Sequence, residues 1–245
     1  MEWSDDAIVL SVRAHGETSA IVETLTRDHG RHMGLVRGGA SRKSRAVLQP
    51  GNSLHVVWRA RLSEHLGSFA AEPAHSRAGS LLERRDSLAG LNAFTQIAGA
   101  VLPERERHAP VFAAGEMLLN AMEDHELAEW GALYVRWEVG VLNELGFGLD
   151  LSSCAATGVT DDLIYVSPRS GRAVSRAGGA PYAERMLSLP PFLLGTQNVG
   201  PTIDDVRTGL ALTAHFLAER VLKPNGKTMP PGRVRLEELA SRESQ

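Results

Sequence analysis

The residues best suited to chemistry lie between Arg31 and Pro50, RHMGLVRGGASRKSRAVLQP. From 31 to 45 five cations (Arg31, Arg37, Arg42, Lys43, Arg45) occur without one acid, on a chain of formal net charge −3. A cation cluster suits a polyanion, because cations that meet phosphates together release condensed counterions. Gly38 and Gly39 free the backbone at the base of the run, which therefore reads as a flexible loop able to follow a flexible strand. A charge run of this kind also describes a plain solvated loop. Arg59 and Arg61, just past Trp58, either extend the basic track or face solvent. Residues 1–80 carry 10 Lys/Arg against 8 Asp/Glu and the rest 16 against 21, so the cationic work belongs to the first third. The acidic remainder is suited to packing, scaffolding or protein binding. Stacking surfaces are scarce: the first third offers only Trp3, Trp58 and Phe69. Trp58, in the apolar run LHVVW, reads as core, and Trp3 as a loosely constrained terminal residue. Contact dominated by the sugar-phosphate backbone, with little base preference, is expected.

A second group has metal-site spacing. Cys154 and Thr157 are separated by two residues, as are Ser175 and Gly178, in the layout of a zinc ribbon with three of four thiolates missing. Thr, Ser and Gly cannot complete a tetrahedral sulfur or nitrogen set, so no structural zinc is expected. As the single cysteine, Cys154 allows no intrachain disulfide and fits a cytosolic protein. Signals for catalysis fail one by one. Gly226-Lys-Thr228 lacks the glycine five residues earlier that a phosphate loop needs, since Val221 stands there. His15-Gly-Glu17 has no Pro-Cys-x-x-Cys to make it a zinc deaminase site. No G-x-S-x-G occurs, and Cys154 has no evident base. A protein that is not an enzyme and needs no cofactor is expected.

The elements that must position these residues change character near residue 78. Before it lie five short apolar runs, at 7–12, 21–26, 33–36, 54–58 and 66–70, separated by turn residues such as His15-Gly16-Glu17 and Pro50-Gly51-Asn52. Five strands in this length predict a small closed barrel of OB-fold scale, a common single-strand binder. After it the apolar period is helical. Asn92 reads as an N-cap and Pro103 as a stop; Pro110 opens the next helix. Trp130, Tyr134, Trp137 and Val141 form a core stripe ended by Gly146 and Gly148. Thr202 with Asp205 makes a capping box, and Pro224 and Gly226 break the helix it starts. Between the helices lies a turn-rich insertion with a hairpin from Leu163–Val166 to Ala173–Ser175, held by Tyr165 and Tyr182 against the helices. Beyond Gly226 the chain reads as loosely ordered. The fold class is thus α+β: an OB-fold at 1–78, then a helical domain at 79–245 with a degenerate zinc-ribbon-like insertion at 150–181. No apolar run approaches the roughly 20 residues needed to cross a bilayer. The acidic start MEWSDDAIVL is not a secretory signal.

Taken in order, several segments resemble the RecO family of bacterial recombination mediators. They are Arg13-Ala-His-Gly-Glu17, His29-Gly-Arg31, Val36-Arg-Gly-Gly-Ala-Ser-Arg42, Leu48-Gln-Pro-Gly51, Leu145-Gly-Phe-Gly-Leu149 and Tyr165-Val-Ser-Pro-Arg-Ser-Gly-Arg172. The resemblance covers nearly the whole chain and implies the same two-domain fold. It also implies binding of single- and double-stranded DNA, annealing of complementary strands, and help in loading RecA onto strands coated with single-strand binding protein. RecR and the acidic C-terminal tail of the single-strand binding protein are the implied partners, and the cytoplasm, at the bacterial chromosome, the implied location. The sequence departs from the family where many members keep four cysteines and this chain keeps Cys154 alone. Expected DNA contacts are Arg31, Arg37, Arg42, Lys43, Arg45, Arg59 and Arg61; Arg136 and Arg220 are the cations proposed for the peptide. The competing readings are a general OB-fold module for RNA or DNA without recombination partners, and a purely structural interaction protein.

Overall fold

Five short apolar runs in the first third close into a five-stranded barrel. The computed structural model describes residues 1–195 and 200–244, and the chain divides into two compact units, Met1–Glu123 and Asp124–Gln245. In the first unit the strands are β1 (Glu2–His15), β2 (Ser19–Thr26), β3 (Gly30–Val36), β4 (Ser53–Arg59) and β5 (Ser68–His75). They close in the order β1-β2-β3-β5-β4. β1 is twice as long as its apolar run because it serves two neighbours. Its first half pairs with β4, from Glu2↔Arg59 to Ile8↔Ser53, and its second with β2, from Ala7↔Thr26 to His15↔Ser19. A register shift between Val9 and Ser11 bends the strand between them. The parallel contact Leu35↔Ser68 closes the barrel.

Ala7, Val9, Val22, Leu54, Val56, Trp58 and Phe69 fill the interior, as the pattern predicts for Trp58. Gly34 makes room for Phe69, since a Cβ there would lie 2.5 Å from the ring. Ile8 and Leu10 face the other way and are buried too, so the apolar run is continuous rather than alternating. The covering layer is helical: α2 (Ala78–Glu83), α3 (Arg85–Val101) and α4 (Ala109–Asp124) follow the barrel within the first unit, and α3 packs against β1. α3 begins seven residues before Asn92, which lies inside the helix and caps nothing. The apolar face there, Ala89, Leu91 and Ala93, belongs to the same stripe as Phe94 and Ile97. Arg77, fully buried, fastens this layer. It donates to the Gly51 carbonyl (3.1 Å), Ser53 Oγ (2.6 Å), Glu116 (3.2 Å) and Asn120 Oδ1 (2.6 Å).

The second unit holds α5 (Leu127–Glu144), α7 (Ile203–Phe216) and α8 (Pro231–Glu243) around a core that includes Trp130, Tyr134 and Trp137. The capping box at Thr202 and Asp205 forms as its spacing predicts. α7 runs on through a π-helical turn, Leu217–Leu222, and stops after Pro224 at Gly226, whose φ is 66°. Between α5 and α7 are the hairpin β6 (Leu163–Val166) and β7 (Ala173–Ser175), the short helix α6 (Arg176–Gly179) and β8 (Leu187–Ser188), which completes a three-stranded sheet. Two expectations fail here. Tyr165 packs against Gly179, but Tyr182 is exposed, because it falls on a 3-10 turn at the surface. The segment after Gly226 is ordered as α8, tied down by a fully buried ion pair. Arg233 Nε and Nη2 lie 2.7 and 3.1 Å from the two Glu138 oxygens, and Nη2 also donates to the Leu210 carbonyl at 2.7 Å.

Candidate nucleic-acid interface

Of the cations after β3, Arg42, Lys43 and Arg45 stand on a helix rather than on a flexible loop, and Arg37 on the turn before it. Gly38, at φ 69°, turns the chain; Ala40 N–H then donates to the Thr18 carbonyl at 3.0 Å, tying the turn to the β1–β2 connection. Ser41 caps α1 (Arg42–Val47), its hydroxyl accepting from Ser44 N–H at 3.2 Å. At the other end Asn52 Nδ2 donates to the Ala46 and Val47 carbonyls at 3.1 and 3.0 Å, and Leu48 sinks into the barrel core. Six residues make a marginal helix alone, so these ties hold the cations in place. Arg45 Nε donates to the Ala40 carbonyl at 2.8 Å. Arg37, Arg42 and Lys43 are exposed, and among the described residues no ion pair reaches them. Arg45 lines a cavity of about 430 Å3 with Val12, Ala20 and Leu48; on the other side of α1, Lys43 lines one of about 440 Å3 with Val36, Val47 and Pro73.

The other expected contacts divide. Arg31 is committed inside the unit: it pairs with Glu23, sits 3.6 Å from Glu104, and donates to the Leu102 carbonyl at 2.8 Å. Its placement departs from the expectation, because the Glu23 carboxylate on the outer face of β2 opposes it. Arg59 pairs with Glu2 at 2.8 Å, and that hydrogen bond holds the Glu2 carboxyl below its usual range. Both groups are exposed, so solvent screens the pair and it holds Arg59 only weakly. Arg61 is exposed on the β4–β5 connection with no ion pair among the described residues.

Near the barrel's β1–β4 edge is a group the sequence reading passed over. Trp3 is not a loose terminal residue: it stacks on His29 at 3.9 Å and 6°, and on Trp58 at 5.6 Å and 18°. His32 meets Trp58 edge-on at 4.9 Å. These rings line a cavity of about 430 Å3 together with Arg105 and Arg107. Their only sequence signal was the alternation that points Trp3 and Trp58, cross-strand partners, to one side.

Residues 1–77 match the family described as Recombination protein O N terminal, and residues 82–229 match Recombination protein O C terminal. The chain belongs to the RecO family. Among its relatives, the DNA repair protein RecO of Phenylobacterium zucineum is 52% identical over 234 residues, 96% of this chain and 95% of the relative. That of Caulobacter vibrioides is 51% identical over the same span and shares. That of Roseobacter denitrificans is 48% identical over 243 residues, 99% of each. The RecO family is one of DNA repair and recombination proteins, not of enzymes.

The degenerate metal spacing of this RecO chain brings all four positions together. Buried Cys154 Sγ accepts from Ser175 N–H at 3.2 Å and Ser175 Oγ at 3.3 Å, and Gly178 N–H donates to Ser175 Oγ at 3.2 Å. Ser175, with a further hydrogen bond from Thr157, draws the thiol down to about 6. The donors are one sulfur and two hydroxyls, a set that suits hydrogen bonding better than zinc; among the described residues no three His, Cys, Asp or Glu meet as a metal site. No described helix is long and apolar enough to cross a membrane. Arg136 donates to the Phe192 carbonyl at 2.7 Å and lies 5.6 Å from its ring. Arg220 donates to the Arg169 carbonyl at 3.1 Å over Phe216 at 4.7 Å. Each retains further donors on its guanidinium.

Proposed function

We propose that this chain is a recombination mediator whose residues 1–78, an OB-fold, bind single- and double-stranded DNA. The observation carrying this is the α1 platform: Arg42, Lys43 and Arg45 are exposed on a short helix capped and anchored at both ends, and Arg37 is exposed on the turn that leads into it. Arg59 and Arg61 extend the track along the end of β4, whereas Arg31 supports the barrel. The contacts are to phosphate and carry no sequence information. Cations held together screen the repulsion between two strands, so complementary bases meet and anneal without bond-making chemistry. The helical domain, 79–245, with its ex-zinc-ribbon insertion at 150–181, recruits RecR and the acidic tail of the single-strand binding protein, with Arg136 and Arg220 as cations for that tail. Through them RecA is loaded onto coated single strands at the bacterial chromosome in the cytoplasm.

Annealing of complementary oligonucleotides tests this reading directly. The wild-type chain speeds pairing without ATP or added metal, and replacing Arg42, Lys43 and Arg45 by Ala slows it by about tenfold or more, as expected for lost phosphate contacts. Undiminished annealing by the folded triple variant removes α1 from the interface.

A further inference from the structure

We propose that the cavity bounded by Trp3, His29, His32 and Trp58 is a subsite for one unstacked nucleobase of a single strand. The inference rests on the DNA-binding reading and extends it, since α1 alone gives phosphate contact without regard to bases.

Three observations carry it. The first is shape: about 430 Å3 lies within the range of small-ligand sites, and the walls set four aromatic rings beside Glu2, Asp28, Ser63, Arg105 and Arg107. The cavity is also held open. Arg105 takes φ 61°, rare for a residue with a Cβ, and its guanidinium donates to the Ser63, Glu64 and His65 carbonyls at 2.6, 3.2 and 3.0 Å. The β4–β5 connection is thereby pinned beside the cavity.

The second is an unfinished stack. Trp58, Trp3 and His29 form a ladder of three rings, and His29, with its side chain 34% exposed, is the open end. Asp5 fixes the ring, accepting from His29 N–H at 3.1 Å and lying 2.8 Å from Nδ1. A base added to His29 continues the ladder, which is how single-strand binders hold bases irrespective of sequence.

The third is an unmatched acceptor. His32 is 4% exposed. Its Nδ1 lies 3.0 Å from the Met33 carbonyl, which can only accept, so Nδ1 carries the proton. Burial lowers the ring's pKa, leaving it neutral with Nε2 a bare acceptor, and among the described residues no group meets it. Every DNA base has an N–H to offer there: the amino group of cytosine, adenine or guanine, or the N3–H of thymine. The carboxylates beside the cavity are already matched, Glu2 by Arg59 and Asp28 by Arg107 at 2.7 Å. The site therefore reads a base more than a phosphate.

The test compares a short oligodeoxycytidine with an abasic strand of equal length and charge, binding the full chain. Wild type prefers the base-bearing strand by about tenfold, and its indole fluorescence is quenched by that strand alone. His29→Ala and His32→Leu, each confirmed folded by circular dichroism, reduce the preference to about twofold or less and leave the salt dependence unchanged. If His32→Leu does not fold, His29→Ala, at a half-buried position, decides. The α1 triple variant weakens both strands equally and keeps the preference, so failure of the helix reading and failure of this one give different patterns. Equal binding of both probes by wild type, or a full preference in folded His29→Ala, overturns the proposal.

Discussion

Two arginines six residues apart, Arg31 and Arg37, meet opposite fates, and the difference lies in neighbours the local sequence does not display. Glu23 and Glu104 neutralise Arg31, the latter from 73 residues away; Arg37 follows the strand's end and has no such partner among the described residues. A cation cluster is therefore legible as a cluster, while the role of each member depends on contacts distant in sequence. Cys154 is the converse case, because its partners Thr157, Ser175 and Gly178 are the positions its ribbon-like spacing marks. Its pH dependence follows from the same contacts. The folded thiol titrates at about 6, below the roughly 8.5 of a free thiol. The unfolded chain thus binds more protons between these values, and stability rises with pH across that window. Relative to Cys154→Ala, the pH-dependent part of the wild-type advantage should be fully present above about pH 8.5 and be lost as pH falls through 6. Urea unfolding at several pH values measures it; a pH-independent difference contradicts the thiolate.

At the scale of elements, strands and amphipathic helices were readable because one face of each is apolar. The barrel's five strands and the stripes of α5 and α7 follow from that, and so does the hairpin β6–β7. Elements held by polar contacts were not readable. α1 depends on Ser41 and Asn52, and its glycine-led, charge-rich sequence resembles a loop. α8 offers only Leu236, Leu239 and Ala240 as buried apolar anchors of any size, and its strongest tie is Arg233, a residue type normally at the surface. Replacing Arg233 by Ala leaves the Glu138 carboxylate buried without a partner, a loss of about 3–5 kcal/mol. Urea unfolding should show that drop, and pairing Arg233→Met with Glu138→Leu should recover most of it. A single variant within about 0.5 kcal/mol of wild type would refute the clasp.

For the whole molecule, charge placement decides what the chain can bind. Net −3 overall would repel a polyanion, but the surplus of cations lies before residue 80 and several of them are exposed and unpaired. The positive site is therefore local, made by the exposed cations at α1 and the end of β4, since the first unit as a whole carries 14 Lys/Arg against 14 Asp/Glu. The base cavity lies in the same unit, and aromatic scarcity in the sequence concealed it, since two of its four walls are histidines.

The central claim, that α1 holds nucleic acid through phosphates, is tested most directly by DNA affinity as a function of salt. Each phosphate contact contributes about 0.7 to the single-strand slope of log affinity against log salt, and about 0.9 for duplex. Removing Arg42, Lys43 and Arg45 together should flatten the slope by about 2 and weaken binding to all sequences alike. An unchanged slope and affinity in the folded variant would contradict the account.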